Sequence, residues 1–299
     1  MFILNLFKKK PKVKEPRDVT ALKEELLRLK KKSIVLETDE NVKRLALDAS
    51  KIGGKPFVPS DFVWPTFTSM EDDETYPLSF FCQLNLSELS KYDEEDLLPK
   101  KGLLLFFYEC ESFCCGFDPL DKGATKVFYY EDTTNFVSYD VPSDLYEDYI
   151  IPELAIHCKV MDSYPSEDEL AFYSSVECDY DDWEAVMDAF GINVIDDLER
   201  HKVLGYADVI QSEMLTDCER TSRGLYCGDP ESFASTSEDE ANDIQKHATD
   251  WMLLLQLDTI TKGDFEFMFG DCGRLFFYIR KEDLVNQQFD NVWFAVQFC

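Results

Sequence analysis

The residues most able to do chemistry cluster near position 201. His201, Tyr206, Asp208 and Gln211 put an imidazole, a phenol, a carboxylate and an amide in one short stretch. An imidazole beside a carboxylate and a phenol can pass a proton. The plainer reading is that His201 and Gln211 anchor a loop against a sheet, and residues that define a loop need no reaction. Asp271 sits in Phe269-Gly-Asp-Cys-Gly273. A carboxylate there can act as a base or metal ligand, but Asp between glycines is first of all a turn former. Two glutamines lie inside apolar runs, Gln83 in Leu78–Leu86 and Gln256 in Trp251–Leu257. A buried amide left unpaired costs about 1–3 kcal/mol, so each must close a hydrogen-bond network or face a ligand. The first is the commoner role.

Metal and cofactor chemistry finds little support. Cys110, Cys114 and Cys115 are close together, and His157 adjoins Cys158, but no second pair completes a zinc tetrad. Asp179, Asp181 and Asp182 resemble a calcium loop without its glycine and closing glutamate. They read better as the cap of a helix beginning near Trp183. There is no phosphate-cradling glycine loop and no Gly-x-Ser-x-Gly elbow. Three histidines in all exclude a histidine-rich metal centre. No catalytic residue, metal or cofactor is expected, and enzymatic activity is not.

The elements that must hold these residues follow from periodicity. Val19, Leu22, Leu26 and Leu29 recur at helical spacing, with Asp18 as a cap and Lys30–Lys32 complementing the C-terminal dipole. A second helix is expected over Asp39–Ser50, with Val42, Leu45, Ala46 and Ala49 on one side. Gly53, Gly54, Pro56, Pro59 and Pro65 then impose an irregular loop carrying Phe57, Phe62 and Trp64. Strands are expected at 78–86, 102–108, 126–130, 251–257, 273–279 and 291–298, each short and rich in strand formers. Trp183, Val186, Met187 and Phe190 form a helical stripe stopped by Gly191. A short helix is expected over Lys281–Gln288.

Charge sets the class of partner. The chain has 299 residues and a formal charge of −30. Residues 1–32 carry +7 and the remainder −37. Residues 1–17 read as a basic, flexible arm, 18–50 as N-terminal helices, and 51–299 as the main domain. A body this acidic excludes general nucleic-acid binding, which needs a basic face. It would steer a basic protein partner toward itself. Ten scattered cysteines without a Cys-x-x-Cys pair read as reduced, mostly buried thiols of a cytoplasmic protein. No apolar run approaches the ~20 residues of a membrane span. Phe2, Leu4 and Phe7 beside Lys8–Lys10 allow at most weak membrane-surface contact by residues 1–10.

Two parts of the chain can be laid on each other. The strand around Gln83 and the run from Gly102 parallel the strand around Gln256 and the run from Gly273. Upstream, Lys51-Ile-Gly-Gly54 faintly matches Lys202-Val-Leu-Gly205. This order and spacing suggest a duplicated sheet unit. The expected architecture is α+β: internally duplicated mixed or antiparallel sheet units fused into one body, with N-terminal helices. The first half would be 51–160, an acidic connector 161–200, and the second half 201–299.

Together these motifs carry a family resemblance. They include Lys51 to Pro59, Trp64-Pro65, Pro77 to Leu86, Leu98 to Phe107, Gly116-Phe-Asp-Pro119, Lys126-Val127, His201 to Tyr206, Ile210-Gln211, Trp251 to Asp258 and Gly270 to Phe277. With Phe289 to Gln297, they resemble the YwqG-like family, a bacterial domain of unknown function, from about Ser50 to the C-terminus. Cys115, Phe269 and Ala207 stand where the family pattern favours Trp, Trp and Pro. The resemblance implies an α+β fold with internal duplication and no established activity. Members linked with toxin–immunity gene clusters imply protein binding. The leading expectation is thus a non-catalytic protein whose acidic surface recognises a protein partner, possible toxin–immunity pairing included. The alternative is a ligand-binding or enzymatic cleft between the halves, lined by Trp64, Gln83, His201, Tyr206, Gln211, Gln256 and Asp271.

Overall fold

A computed structural model describes residues 19–70, 72–191 and 200–299. The expected arm at 1–17 and the Asp18 cap lie outside these residues. Among the described residues, ten strands form one antiparallel sheet. In chain order they are β1 (Lys31–Asp39), β2 (Lys51–Ile52), β3 (Ser79–Asn85), β4 (Leu103–Tyr108), β5 (Thr125–Tyr130), β6 (Leu154–Ser163), β7 (Lys202–Val203), β8 (Trp251–Leu257), β9 (Arg274–Arg280) and β10 (Trp293–Gln297). Their spatial order is β10-β9-β8-β7-β1-β6-β2-β3-β4-β5. With the helices around it, this is a mixed α+β fold.

The centre of the sheet is the pair β1–β6, in register from Lys31 opposite Ser163 to Asp39 opposite Ala155. On each side follow a two-residue strand, a glutamine-bearing strand and two further strands. The registers agree in detail. Lys51 faces Gln83 across β2–β3, and Lys202 faces Gln256 across β7–β8. Each glutamine strand shifts register two residues before its glutamine, between Phe80 and Cys82 and between Leu253 and Leu255. Such an extra residue bends a strand and increases its twist. The two arms then meet face to face. Phe106 of β4 packs edge-on against Phe277 of β9 at 5.1 Å, and Tyr108 lies 5.7 Å from Phe294 of β10. One apolar cluster therefore contains residues of both arms.

The outer strands β5 and β10 approach each other without pairing. The loop between β4 and β5 is bonded to β10: the Val296 N–H donates to the Cys115 carbonyl at 2.9 Å, and Trp293 Nε1 donates to the Gly116 carbonyl at 2.9 Å. Gly116 has φ +83°, and a Cβ there would lie 2.1 Å from the Phe294 carbonyl oxygen. Only glycine fits so close an approach at that dihedral. The sheet is thus nearly closed, with a seam at this point.

Several expected elements are present. The first helix spans Thr20–Leu29 and buries Leu22 and Leu26 against Leu170, Val186 and Met187. The helix carrying Trp183 spans Tyr180–Ala189, capped by Asp179, whose carboxylate accepts from the Asp182 N–H. The short helix after β9 spans Lys281–Val285.

Four features differ from expectation. No helix occupies Asp39–Ser50: Asp39 ends β1, and residues 40–49 form turns and coil. Their supposed apolar face is only partly covered, Val42 and Ala46 being exposed and Leu45 and Ala49 half-buried. Their carbonyls are instead taken by strand side chains, as shown below. Lys31 and Lys32 open β1 and do not close the preceding helix. Strand β6 crosses the boundary drawn at residue 160. The ten cysteines are all free; four are buried, four half-buried, and Cys272 and Cys299 exposed, so burial is less general than expected. No helix among the described residues is long and apolar enough to cross a membrane.

Candidate functional site

The two glutamines are fully buried. Gln83 Oε1 accepts from the Phe57 N–H at 2.9 Å, and its Nε2 donates to the Leu47 and Ala49 carbonyls. Gln256 Oε1 accepts from the Asp208 N–H at 2.9 Å, and its Nε2 donates to the Arg200 carbonyl and to Asp208 Oδ2. Counted from Lys51 and Lys202, the partner backbone groups stand at matching positions: Ala49 with Arg200, Phe57 with Asp208. Each amide pins the chain before and after its short strand onto the sheet. The tight turn after each strand is left-handed at two successive residues, Gly53-Gly54 and Leu204-Gly205.

The charged surroundings differ. In the second arm Asp208 Oδ1 lies 2.8 Å from Lys202 Nζ, with Arg200 at 3.7 Å. Burial raises the Asp208 carboxyl, but Lys202 and Arg200 outweigh it and hold it down at about 2. Arg274 donates to the Asp208 carbonyl and, at 2.6 Å, to Asp258 Oδ2. The Asp258 N–H in turn donates to His201 Nδ1 at 3.1 Å. Burial lowers the imidazole to about 4, against the opposing pull of Asp258. Its protonated Nε2 has no partner among the described residues and no access to solvent. A base that cannot meet a substrate proton does not catalyse its transfer.

The expected site residues therefore do not share one cleft. Asp208 and Gln256 touch, and His201 joins them through Asp258. Tyr206 points away, its hydroxyl donating to the Leu29 carbonyl. Gln211 donates to the Phe298 carbonyl and caps the end of β10. Asp271 lies exposed in a turn whose Phe269 and Gly273 form a bridge. Trp64 is half-buried in the first arm, its Nε1 donating to the Leu78 carbonyl and its ring packed on Phe62 and Phe107.

A groove of about 620 Å³ does lie between the two arms, lined by other residues. One wall is the segment from Pro119 to Val127. The other is the end of the helix Leu215–Ser222, Arg280 of β9, and the turn from Phe289 into β10. Behind it sits Glu219, 2 % exposed. Its carboxylate accepts from Trp251 Nε1 at 2.8 Å, Arg223 Nε at 2.7 Å and Arg280 Nη2 at 2.7 Å. Burial raises the Glu219 carboxyl, but these three donors prevail and lower it. The Arg280 guanidinium lies over the Trp251 ring, 4.2 Å from its centroid. Lys126 pairs with Asp290 across the seam. Sequence reasoning missed this constellation because its parts are far apart: 61 residues separate Glu219 from Arg280. The one local signal is an arginine closing an apolar strand, Phe276-Phe-Tyr-Ile-Arg280.

The chain belongs to the family described as Domain of unknown function (DUF1963), whose model matches residues 50–299. No curated protein matches it. Membership covers the ten-stranded sheet except for β1, which pairs at its centre from outside the matched region.

Proposed function

We propose that this chain is a non-catalytic binding protein that recognises a basic protein partner through its acidic outer surface. One observation carries the reading: of the polar groups that looked chemically active, the glutamines are bonded within the fold and His201 is sealed from solvent. Gln83, Gln256 and His201 are each no more than 1 % exposed. The acidic excess of residues 33–299 then has few inner uses and lies largely outside. One acidic cluster surrounds Cys178, between the helices Glu167–Tyr173 and Tyr180–Ala189. Burial, then Glu167, Asp182, Asp179 and Asp168, push its thiol up to about 11. Tyr180 stands 46 % exposed beside them. Carboxylates around an exposed ring suit lysine and arginine side chains, by ion pairing and by the ring face. The YwqG-like resemblance and its toxin–immunity association agree with this, as does a cytoplasmic setting.

The matching glutamine bonds, left-handed turns and bulges support descent of the two arms from one duplicated unit. A second reading, a ligand cleft between the halves, is favoured by the groove itself. To test the leading reading, basic proteins are titrated calorimetrically at low and high salt, with Asp168→Lys/Glu184→Lys as the comparison. Expected are salt-sensitive binding and a weaker interaction in the double variant. Absence of salt-sensitive binding to any basic protein refutes it.

A further inference from the structure

Building on the cleft reading, we infer that the groove between the arms binds a small organic anion, a carboxylate or phosphate ester, through Arg280 and Lys122. The groove is unlike the rest of this acidic chain in having donors to spare. A guanidinium offers five N–H donors in a fixed fork. Arg280 uses Nη2 alone, on Glu219 and on Ser222 Oγ at 2.8 Å. Its Nε and Nη1 have no partner among the described residues. Lys122, on the opposite wall, is exposed and makes no ion pair there. The nearby carboxylates each have one oxygen engaged: Asp290 with Lys126, and Asp121 Oδ2 with the Gly116 N–H at 2.8 Å.

Arg280 is also held in place before any ligand arrives. Glu219 is buried and saturated by three donors, and the Trp251 ring fixes the guanidinium plane from below. Such preorganisation lowers the entropy lost on binding. A planar fork facing a groove matches a carboxylate or phosphate, which it can grip in a bidentate way. The volume falls in the range of small-molecule sites, about 300–1,000 Å³. The field of the acidic body repels anions at a distance, so affinity must come from these direct contacts. Raising the salt should therefore weaken binding less than it weakens the basic-partner interaction.

The test is tryptophan fluorescence of the full chain titrated with citrate, with inorganic phosphate, and with spermidine as a cation. Trp251 and Trp293 line the groove and report occupancy. A saturable change with citrate or phosphate is expected. Lys122→Glu, at an exposed site without partners, should weaken it by about fivefold or more. Arg280→Lys keeps the charge, loses the fork and should also weaken it; a thermal melt checks its fold. Unchanged affinity in both variants overturns the assignment. Saturation by spermidine alone overturns the anionic class and leaves a cleft. Silence with all three overturns both the anion and the cleft reading.

Discussion

Replacing His201 with glutamine should make the protein less sensitive to acid. The imidazole is 1 % exposed, accepts from the Asp258 N–H and titrates at about 4 in the folded chain, against the ordinary 6.5. As pH falls below the ordinary value, the unfolded chain takes up this proton first. The stability gained by keeping the ring neutral is complete above 6.5 and is lost as pH falls toward 4. Between about pH 7 and about pH 5 the loss is about 2 kcal/mol. That window stays above the isoelectric point of 4.3, where solubility would confuse the measurement. Glu169 and Asp217, raised to about 7 by burial, act in the opposite sense. They release a proton with difficulty when folded, so they favour folding as pH falls. Both are present in wild type and variant and cancel in the difference. Urea unfolding followed by fluorescence at both pH values gives the four free energies. Wild type should lose about 2 kcal/mol more than His201→Gln on acidification. His201→Asn serves the same purpose should the first variant not fold. Equal losses in wild type and variant would show that His201 is not held neutral by burial.

Gln83→Leu and Gln256→Leu should each destabilise by about 2–3 kcal/mol, because each strands buried main-chain groups on both sides of a short strand. Equilibrium unfolding checks this, and a neutral effect at either position would mean that the amide is not what pins the chain. Gly116→Ala should cost more than about 2 kcal/mol, combining a left-handed alanine with a collision at the seam. Its Trp293 emission should shift toward that of a solvated indole. A variant as stable as wild type would show that the seam can open without loss.

What could be read in the sequence was what short-range pattern encodes. The six longer strands of the two outer arms are compact apolar and aromatic runs between turn signals, and all of those runs pair as strands. The central pair was harder to see. β1 opens with two lysines directly after a helix and reads as its charged end. β6 alternates Ile156, Cys158 and Val160 with His157, Lys159 and Met161, a period of two concealed in an acidic, proline-broken stretch. Residues 40–49 imitate a helical stripe, but their carbonyls are needed by Gln83 and Asn85, so tertiary hydrogen bonds override the local preference. The pairing of Lys51 with Lys202 was visible only as a faint match, since the match is one of register and not of composition. For the candidate site, the sequence pointed to a cleft between the halves without its residues. Donors such as Arg280 and Lys122 acquire meaning only once the two arms fold onto each other.

The two arms are alike where they meet the central pair and unlike where they meet each other. Near the centre, both use the same amide, the same opposing lysine and the same left-handed turn. These features hold a short strand in register, and nothing in them requires a ligand. At the seam the likeness ends. The first arm contributes a loop with Gly116, Asp121 and Lys122. The second contributes a helix whose Glu219 reaches back to two arginines and an indole. A closed barrel would have satisfied both outer strands by pairing them. Here β5 and β10 do not pair: two hydrogen bonds tie β10 to the loop before β5, and Lys126 of β5 pairs with Asp290. The edges are thus protected from other chains while a space remains between them. Polar residues placed at that break in likeness are not needed to repeat the fold, and Arg280 and Lys122 keep donors that no group among the described residues takes. If the arms descend from one unit, binding chemistry is to be sought where the copies have diverged, not in the glutamines they share.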